Sequence, residues 1–157
     1  MQNFLVKLPF FSGTYYYTVD IKGRIIIPAP LREIISTHYS TKLYITNAPF
    51  ECCIHIYPSE EWNKLQEKVR NLPKSDEAVR FFSKKVIASA VEIEMDKQSR
   101  ILIPASLREN ARINTEVVIA GQTEIIELWG RDEWNKIVEI SEKDKKAYQE
   151  RLSVLGI

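Results

Sequence analysis

Two stretches of the chain are nearly the same: DIKGRIIIPAPLRE at residues 20–33 and DKQSRILIPASLRE at residues 96–109, 76 positions later. Nine of the fourteen positions are identical, and they include charged residues as well as isoleucine, leucine and proline. A duplication kept only to build a core would preserve apolar character and let the charges vary. The pattern therefore indicates an internal repeat whose charged residues have a role of their own.

Length and composition limit the class of protein. The chain has 157 residues, of which 45% are hydrophobic and 27% charged, as in one globular domain or two small packed ones. No run reaches the roughly 18 apolar residues that a membrane-spanning helix needs. The first residues also lack the long apolar segment and cleavage site of a signal peptide. We expect a cytoplasmic protein with no membrane partner.

The positive charge is concentrated in the repeated motif. The net charge is only +1, but residues 20–32 and 96–108 each carry +2, which leaves −3 on the rest of the chain. A local basic excess can bind a polyanion even when the whole protein is nearly neutral. The motif is therefore the candidate nucleic-acid interface.

Each motif contains an Asp-x-x-x-Arg sequence between two segments that are typical of strands. TYYYTV at residues 14–19 and VEIEM at residues 91–95 lead into the aspartate, and RIII or RILI follows it. Gly23 allows the positive φ angle that a tight turn favours. Ser99 takes that place in the second copy, so we expect a slightly different turn there. The pattern predicts two β-hairpins with Asp-x-x-x-Arg at the reversal.

The flanking sequence predicts short helices and core-facing strands. Helices are expected from Ala29 and Ala105, directly after a proline. The alternation in VEIEM predicts that Val91, Ile93 and Met95 face a core.

Two further strands and a closing helix that contains Glu-Trp-Asn-Lys follow in each half. In the second closing helix, Trp134, Ile137 and Val138 are predicted to form the buried stripe. The predicted segments are a leader (residues 1–12), a first repeat (13–70), a bridging helix (71–90), a second repeat (91–140) and a C-terminal helical tail (141–157).

The strands that follow the turns explain why two copies are needed. IIIP and ILIP have no polar face, and a single two-stranded hairpin is marginally stable in water. Two hairpins packed on each other could bury these residues. We therefore predict an α+β fold in which both repeats form one compact domain, a pseudo-two-fold β-barrel with flanking helices.

The motif pair resembles the MraZ family of bacterial transcriptional regulators. The resemblance rests on Asp-x-Lys-Gly-Arg-x-x-x-Pro-x-x-x-Arg and Asp-x-Gln-x-Arg-x-x-x-Pro-x-x-Leu-Arg, on Ile-Glu-Leu-Trp ending at Trp129, and on Glu-Trp in each closing helix. It extends from about Gly13 to about Ile140. Two departures are Ser99 in place of the usual glycine and a longer leader before Gly13.

The resemblance implies a fold, an assembly and a partner. The fold is the AbrB-like swapped-hairpin barrel, and the assembly is a homo-oligomeric ring. The partner is double-stranded DNA with repeated elements ahead of the division and cell-wall gene cluster, which implies a nucleoid-associated protein. Because the contacts of a closed ring run head to tail, we expect direct repeats in this promoter rather than palindromes.

The family's motif arginines fall on Arg24 and Arg100. An arginine at a turn can reach phosphate or form two hydrogen bonds with guanine. Lys22 and Lys97 lie beside them as positive charges for phosphate. These four residues are the first candidates for DNA contact.

The other motif residues are assigned less direct roles. The family's motif aspartates fall on Asp20 and Asp96, which we expect to cap turn N–H groups or to orient the arginine four residues on. Arg32 and Arg108 are candidates for DNA contact, but a solvated or salt-bridged position in the short helix explains them nearly as well.

Three alternatives compete with DNA binding. The Asp and Arg of each turn could be a structural ion pair only. Asp20 and Asp96 could be the dyad of an enzyme, but their basic neighbours keep carboxylates ionised, and no Ser-His pair or phosphate loop accompanies them. The chain could be an AbrB-like adaptor of the antitoxin type, although such relatives usually carry one hairpin and an acidic tail. We predict that the protein is not an enzyme and has no small-molecule substrate.

The cysteines and histidines do not suggest a metal or cofactor. Cys52 and Cys53 are adjacent and would point to opposite faces of a strand, while His38 and His55 stand apart in the sequence. We expect both cysteines to be structural, in a reducing compartment, and we predict no metal and no cofactor.

Overall fold

The computed structural model describes residues 9–157, so most of the predicted leader lies outside the described residues. The fold is α+β, and every strand pair is antiparallel. The strands are β1 (Thr14–Thr18), β2 (Arg24–Ile26), β3 (Lys42–Asn47), β4 (Ile54–Pro58), β5 (Val91–Glu94), β6 (Arg100–Leu102), β7 (Glu116–Gln122) and β8 (Ile125–Gly130).

The helices follow the strands in each half of the chain. Those predicted after the two prolines begin at Ala29 and Ala105. The α-helices are α1 (Ala29–His38), α2 (Ser59–Arg70), α3 (Glu77–Phe82), α4 (Ala105–Asn110), α5 (Arg131–Val138) and α6 (Glu142–Val154). In the described part of the chain, no helix is both long and apolar enough to cross a membrane.

The bridging segment is helical over a shorter range than predicted. Asp76 caps α3, since its Oδ1 accepts a hydrogen bond from the N–H of Ala78 at 2.8 Å. A π-helical turn, Ser83–Ile87, continues the helix towards β5. Val86 in that turn is fully buried, and its carbonyl accepts a hydrogen bond from the Thr46 hydroxyl. The bridge is therefore packed against the sheet.

The strands form one six-stranded sheet and one two-stranded ribbon. The order in the sheet is β1-β7-β8-β4-β3-β5, and the ribbon consists of β2 and β6. The first strand of each repeat thus pairs with the other repeat, β1 with β7 and β5 with β3. Two more pairs join the repeats: β4 with β8 at the centre of the sheet, and β2 with β6 in the ribbon.

The six-stranded sheet is not closed. Strands β1 and β5 form its two edges and do not pair with each other in the described structure. Strands β2 and β6 leave the sheet at the turns and pair with one another. The predicted hairpins are therefore wrong as strand pairs, since β1 pairs with β7 and β5 with β3 rather than with the strand after the turn. The predicted continuous barrel is therefore an open sheet accompanied by a separate ribbon.

One core joins the ribbon to the sheet. Ile25 and Ile101 in the ribbon are almost fully buried, in the same cluster as Ile45 of β3 and Ile119 of β7. Burial of such side chains stabilises the fold by about 1.5–3 kcal/mol each. The two repeats therefore share this core.

Two details of the predicted packing are wrong. Val91 is 42% exposed, because it lies at the start of the edge strand β5, whereas Ile93 and Met95 pack against the core. In α5, Trp134 packs against Trp129, but Ile137 and Val138 are 39% and 55% exposed. The helix therefore presents part of its apolar stripe to solvent.

Candidate nucleic-acid interface

The first turn is held by its aspartate. The Asp20 N–H donates to the Arg24 carbonyl at 2.9 Å, and the Gly23 N–H donates to the Asp20 carbonyl at 3.0 Å. Oδ1 of Asp20 accepts from the N–H groups of Lys22 and Arg24, both at 2.9 Å. Oδ2 accepts from Nε of Arg24 at 2.8 Å. One carboxylate therefore caps the turn and orients the arginine.

The second turn repeats this network. Oδ1 of Asp96 accepts from the N–H groups of Gln98 and Arg100, both at 2.9 Å, and Oδ2 accepts from Nε of Arg100 at 2.8 Å. Ser99 takes the place of Gly23 and has a φ of 64°, against 82° for the glycine. The second turn thus keeps the left-handed backbone that glycine favours and places a serine in it.

The hydrogen bonds lower the pKa of both aspartates. For Asp20, the backbone hydrogen bond from Arg24 outweighs the opposing effect of burial, with further contributions from the Arg24 side chain and the Lys22 N–H. The pKa of Asp96 is lowered by the corresponding groups, first the Arg100 backbone. Both turns are therefore built around ionised carboxylates, and each arginine has a fixed counterion.

The ribbon places the two turns in symmetric positions. Arg24 lies opposite Leu102, and Arg100 lies opposite Ile26. The symmetry extends to the strand ends, where the Ile27 N–H donates to the Ser99 carbonyl and the Ile103 N–H donates to the Gly23 carbonyl, both at 2.9 Å.

Both arginines lie on the outer face of the ribbon. Side chains directly opposite or two residues apart point to the same side of a strand pair, so Arg24, Ile26, Arg100 and Leu102 share one face. Ile25 points into the core. The two arginine positions are two residues apart along the ribbon, about 7 Å.

Comparison with known proteins identifies the family. The model of the family described as "MraZ protein, putative antitoxin-like" matches residues 10–85 and 86–154. The chain belongs to the MraZ family. Each matched segment contains one Asp-x-x-x-Arg turn, which agrees with the duplication seen in the sequence.

Proteins named "Transcriptional regulator MraZ" are similar to this MraZ-family chain over nearly its full length. The one from Heliobacterium modesticaldum is 38% identical over 140 residues, which is 89% of this chain and 92% of that protein. The one from Acetivibrio thermocellus is 37% identical over 147 residues, 94% of this chain and 99% of that protein. A third, from Syntrophobacter fumaroxidans, is 37% identical over 148 residues.

The four basic residues of the two turns differ in how firmly they are held. Arg24 and Arg100 are 27% and 28% exposed and are bound to their aspartates. Lys22 and Lys97 are exposed. Within the described part of this MraZ-family chain, neither lysine forms an ion pair. The lysines are thus free positive charges beside two oriented arginines.

The arginines that follow each proline contact their own backbone. Nη1 of Arg32 donates to the Ile27 carbonyl at 2.8 Å. Nε of Arg108 donates to the Ile113 carbonyl at 3.1 Å, and its Nη2 donates to the carbonyl of Asn114. These bonds connect α1 and α4 to neighbouring segments. Contact between Arg32 or Arg108 and DNA stays a prediction.

The surface around the turns also carries exposed apolar residues that the sequence motif did not indicate. Ile21 at the first tip is 100% exposed, and Ile26 and Leu102 between the arginines are 46% and 54% exposed. The strict alternation of strand side chains could have indicated the last two, since Ile25 and Ile101 point inward. Single exposed apolar residues are ordinary, but Ile26 and Leu102 share one face of the ribbon with both arginines.

The side chains that could hold a metal ion lie in the sheet, away from the Asp-x-x-x-Arg turns. Among residues 9–157, one group of side chains has suitable ligand atoms close together: Glu51, Cys53, His55 and Glu127. It lies around β4 and β8, in the sheet. The signal in the sequence was the alternating Glu51-x-Cys53-x-His55, whereas Glu127 joins the group only through strand pairing.

Proposed function

We propose that this chain is a transcriptional regulator that binds double-stranded DNA through its two Asp-x-x-x-Arg turns. The observation that carries the proposal is the same hydrogen-bond network at both turns, which presents Arg24 and Arg100 on one face. Relatives that cover most of the chain are named transcriptional regulators. A purely structural ion pair would not account for Lys22 and Lys97 at both tips.

The chemistry of the ribbon suits a DNA groove. The Nε of each arginine is used by its aspartate, and Nη2 of Arg100 also donates to Gln98. The remaining Nη groups can bind phosphate or the O6 and N7 of guanine. The lysines supply phosphate contacts whose strength depends on salt. Ile26 and Leu102 lie between the arginines and offer apolar contact to the methyl group of thymine. A two-stranded ribbon is narrow enough to enter a major groove.

We propose that the two repeats form one compact domain with the swapped-hairpin architecture of AbrB-like proteins. The supporting observations are the four cross-repeat strand pairs and the shared core. The predicted leader, bridge and tail flank this domain. In this proposal, the ribbon and the sheet together take the place of a continuous barrel.

The proposed assembly is a ring that binds direct repeats in the promoter of its own division and cell-wall gene cluster, in the cytoplasm and on the nucleoid. One chain offers two turns, which is too few phosphate contacts for tight binding at physiological salt. A ring of head-to-tail subunits would present many turns in the same orientation.

Gel-shift titration with the DNA upstream of the protein's own gene tests the proposal. Arg24→Ala with Arg100→Ala should weaken binding by about 1–3 kcal/mol for each lost guanine contact. Arg70→Ala is the control, because it removes an exposed arginine of α2 that pairs with Glu67, away from both turns. Unchanged affinity in the double variant would rule out the turns as the DNA-binding site.

The spacing of operator repeats tests the ring. An insertion of half a helical turn between two repeats, about 5 base pairs, should place them on opposite sides of the duplex and remove the gain from multiple contacts. A full turn, about 10 base pairs, should restore part of the affinity. Equal affinity for both insertions would contradict the ring but not DNA binding by the turns.

A second function has one observation in its favour, the words "antitoxin-like" in the family description. A protein-binding adaptor would keep its partner in the Arg24→Ala, Arg100→Ala variant and would show no DNA retardation in the wild type. The gel shift therefore separates the two functions.

A further inference from the structure

Four side chains with metal-ligand chemistry meet on one side of the sheet. Glu51, Cys53 and His55 alternate along the chain at the start of β4, and His55 lies directly opposite Glu127 of β8. One ligand atom from each of the four lies within 4.8 Å of the other three. The group therefore draws on both halves of the chain.

The histidine of this group is incompletely satisfied. Its Nε2 lies 3.1 Å from Oε2 of Glu127, whereas its Nδ1 is buried and has no hydrogen-bond partner in the described structure. A buried polar atom without a partner is unfavourable, because it has lost its hydrogen bonds to water. When Nε2 donates to the carboxylate, Nδ1 carries the free lone pair. Histidines that bind metals commonly donate their other ring N–H to a carboxylate.

The group also concentrates potential negative charge. Burial raises the pKa of the Cys53 thiol, and the carboxylates of Glu127 and Glu51 raise it further. Burial, and then the charge of Glu127, raise the pKa of Glu51. Burial acts in the same direction on Glu127, but hydrogen bonds from His55 and Trp129 outweigh it and lower its pKa. A divalent cation bound among these groups would favour their ionised forms.

We propose that Glu51, Cys53, His55 and Glu127 form a binding site for one zinc-type divalent ion. A thiolate, an imidazole and carboxylates are the ligands that Zn²⁺ takes in proteins. On binding, the Cys53 thiol releases its proton to solvent and the sulfur bonds to the metal. His55 binds either through Nδ1, with Glu127 orienting the ring, or through Nε2, with Glu127 as a ligand.

The dimensions of the group fit such an ion after a small adjustment. Metal–ligand bonds of about 2.0–2.3 Å in a tetrahedron separate the ligand atoms by roughly 3.3–3.7 Å. The 4.8 Å limit of the group therefore requires a closure of about 1 Å or somewhat more. Glu51 is exposed in the loop between β3 and β4, so this side chain can move and also gives the ion a path from solvent.

The site would join the two repeats. Strands β4 and β8 are neighbours at the centre of the sheet and belong to different repeats. Glu127 is further held by the indole N–H of Trp129, which donates to its Oε1 at 2.9 Å. Metal binding should therefore raise the melting temperature and change the fluorescence of Trp129.

Titration of the full-length, metal-free, reduced protein with Co²⁺ tests the proposal, because cobalt reports on its ligands by absorption. We expect one Co²⁺ per chain, visible d–d bands of a tetrahedral centre and a thiolate-to-cobalt charge-transfer band, all displaced by Zn²⁺. Cys53→Ser should abolish the charge-transfer band. His55→Gln and Glu51→Gln should each weaken Zn²⁺ binding, with the loss for His55→Gln above about 10-fold.

Cys52→Ser is the matched control. This neighbouring thiol is directed away from the group and lies 3.4 Å from the Asn110 carbonyl, so its loss should leave the cobalt spectrum unchanged. Exposed Glu51 provides a variant that does not depend on how the core tolerates change at Cys53. The proposal is overturned if the wild type gives no charge-transfer band, if Cys52→Ser loses the band, or if Glu51→Gln and His55→Gln both bind Zn²⁺ as tightly as the wild type.

Discussion

The two hairpin turns share a framework and differ at their tips. In both, one aspartate accepts two backbone N–H groups and the Nε of the arginine at nearly the same distances. The tips are Ile21-Lys22-Gly23 in one and Lys97-Gln98-Ser99 in the other, with the lysine displaced by one position. The aspartate and arginine therefore determine the shape of the turn, and the tip residues can change without altering it.

The largest expected difference between the turns concerns their arginines. Nη2 of Arg100 also donates to Oε1 of Gln98 at 3.2 Å, whereas the Nη groups of Arg24 have no such bond in the described structure. Arg24→Ala should therefore weaken DNA binding more than Arg100→Ala, each within about 1–3 kcal/mol per contact. Fluorescence anisotropy with operator DNA measures both. Gln98→Ala should release Nη2 of Arg100, so that in this background Arg100→Ala weakens DNA binding about as much as Arg24→Ala. Equal losses of affinity for the two arginine variants with Gln98 present would contradict the prediction.

Gly23→Val should destabilise the first turn. The φ of 82° is unfavourable for a β-branched residue. Space is not the obstacle, since the nearest atoms to an added Cβ are at 3.7 Å. The free energy of unfolding should fall by about 1–3 kcal/mol, measured by urea denaturation. Ile21→Val changes the same tip at a fully exposed position and should have no effect. A higher melting temperature for Gly23→Val would contradict the positive φ angle of residue 23 in this turn.

Exchanging the third tip residue between the two turns should give two smaller effects on stability, of opposite sign. Gly23→Ser installs the serine that the second turn already tolerates, so the loss should be about 1 kcal/mol. Ser99→Gly should be neutral or raise stability by less than about 1 kcal/mol, because relief at φ 64° is offset by the greater freedom of an unfolded glycine. Thermal denaturation of both variants checks the pair. Effects of the same sign at both positions would indicate that the turns are not equivalent.

The smallest expected effect is a loss of folding stability at acid pH, and it should be the same at both turns. The pKa values of Asp20 and Asp96 are lowered in the folded protein. The stability that they contribute is therefore present above the unfolded value of about 3.9 and is lost as pH falls through the lower folded values.

NMR titration of the two carboxyl groups measures this contribution directly. Asp20→Asn with Asp96→Asn removes it and leaves the other acids of the chain unchanged, so the double variant should lose less stability than the wild type on acidification. An ordinary pKa for the carboxyl group of either aspartate would show that the two turns are not equivalent.

Local signals in the sequence predicted the turns and most elements around them. Proline indicated the starts of α1 and α4, because the missing proline N–H costs nothing at the first position of a helix. The exposure of Val91, Ile137 and Val138 could not be predicted in this way. An apolar stripe shows that a face can be buried, but its burial depends on whether another element lies against it.

The sequence by itself determined the duplication, the Asp-x-x-x-Arg turns and the α+β class, since these depend on residues within about one turn or hairpin of each other. Only the tertiary structure decided which strands pair across the repeats and that the sheet stays open. It alone brought Arg24 and Arg100 onto one face of the ribbon and Glu127 beside His55. Arg24 and Arg100 are 76 positions apart in the sequence, and His55 and Glu127 are 72 apart. Local patterns could not bring them together, because the ribbon and the β4–β8 pair both join strands of different repeats.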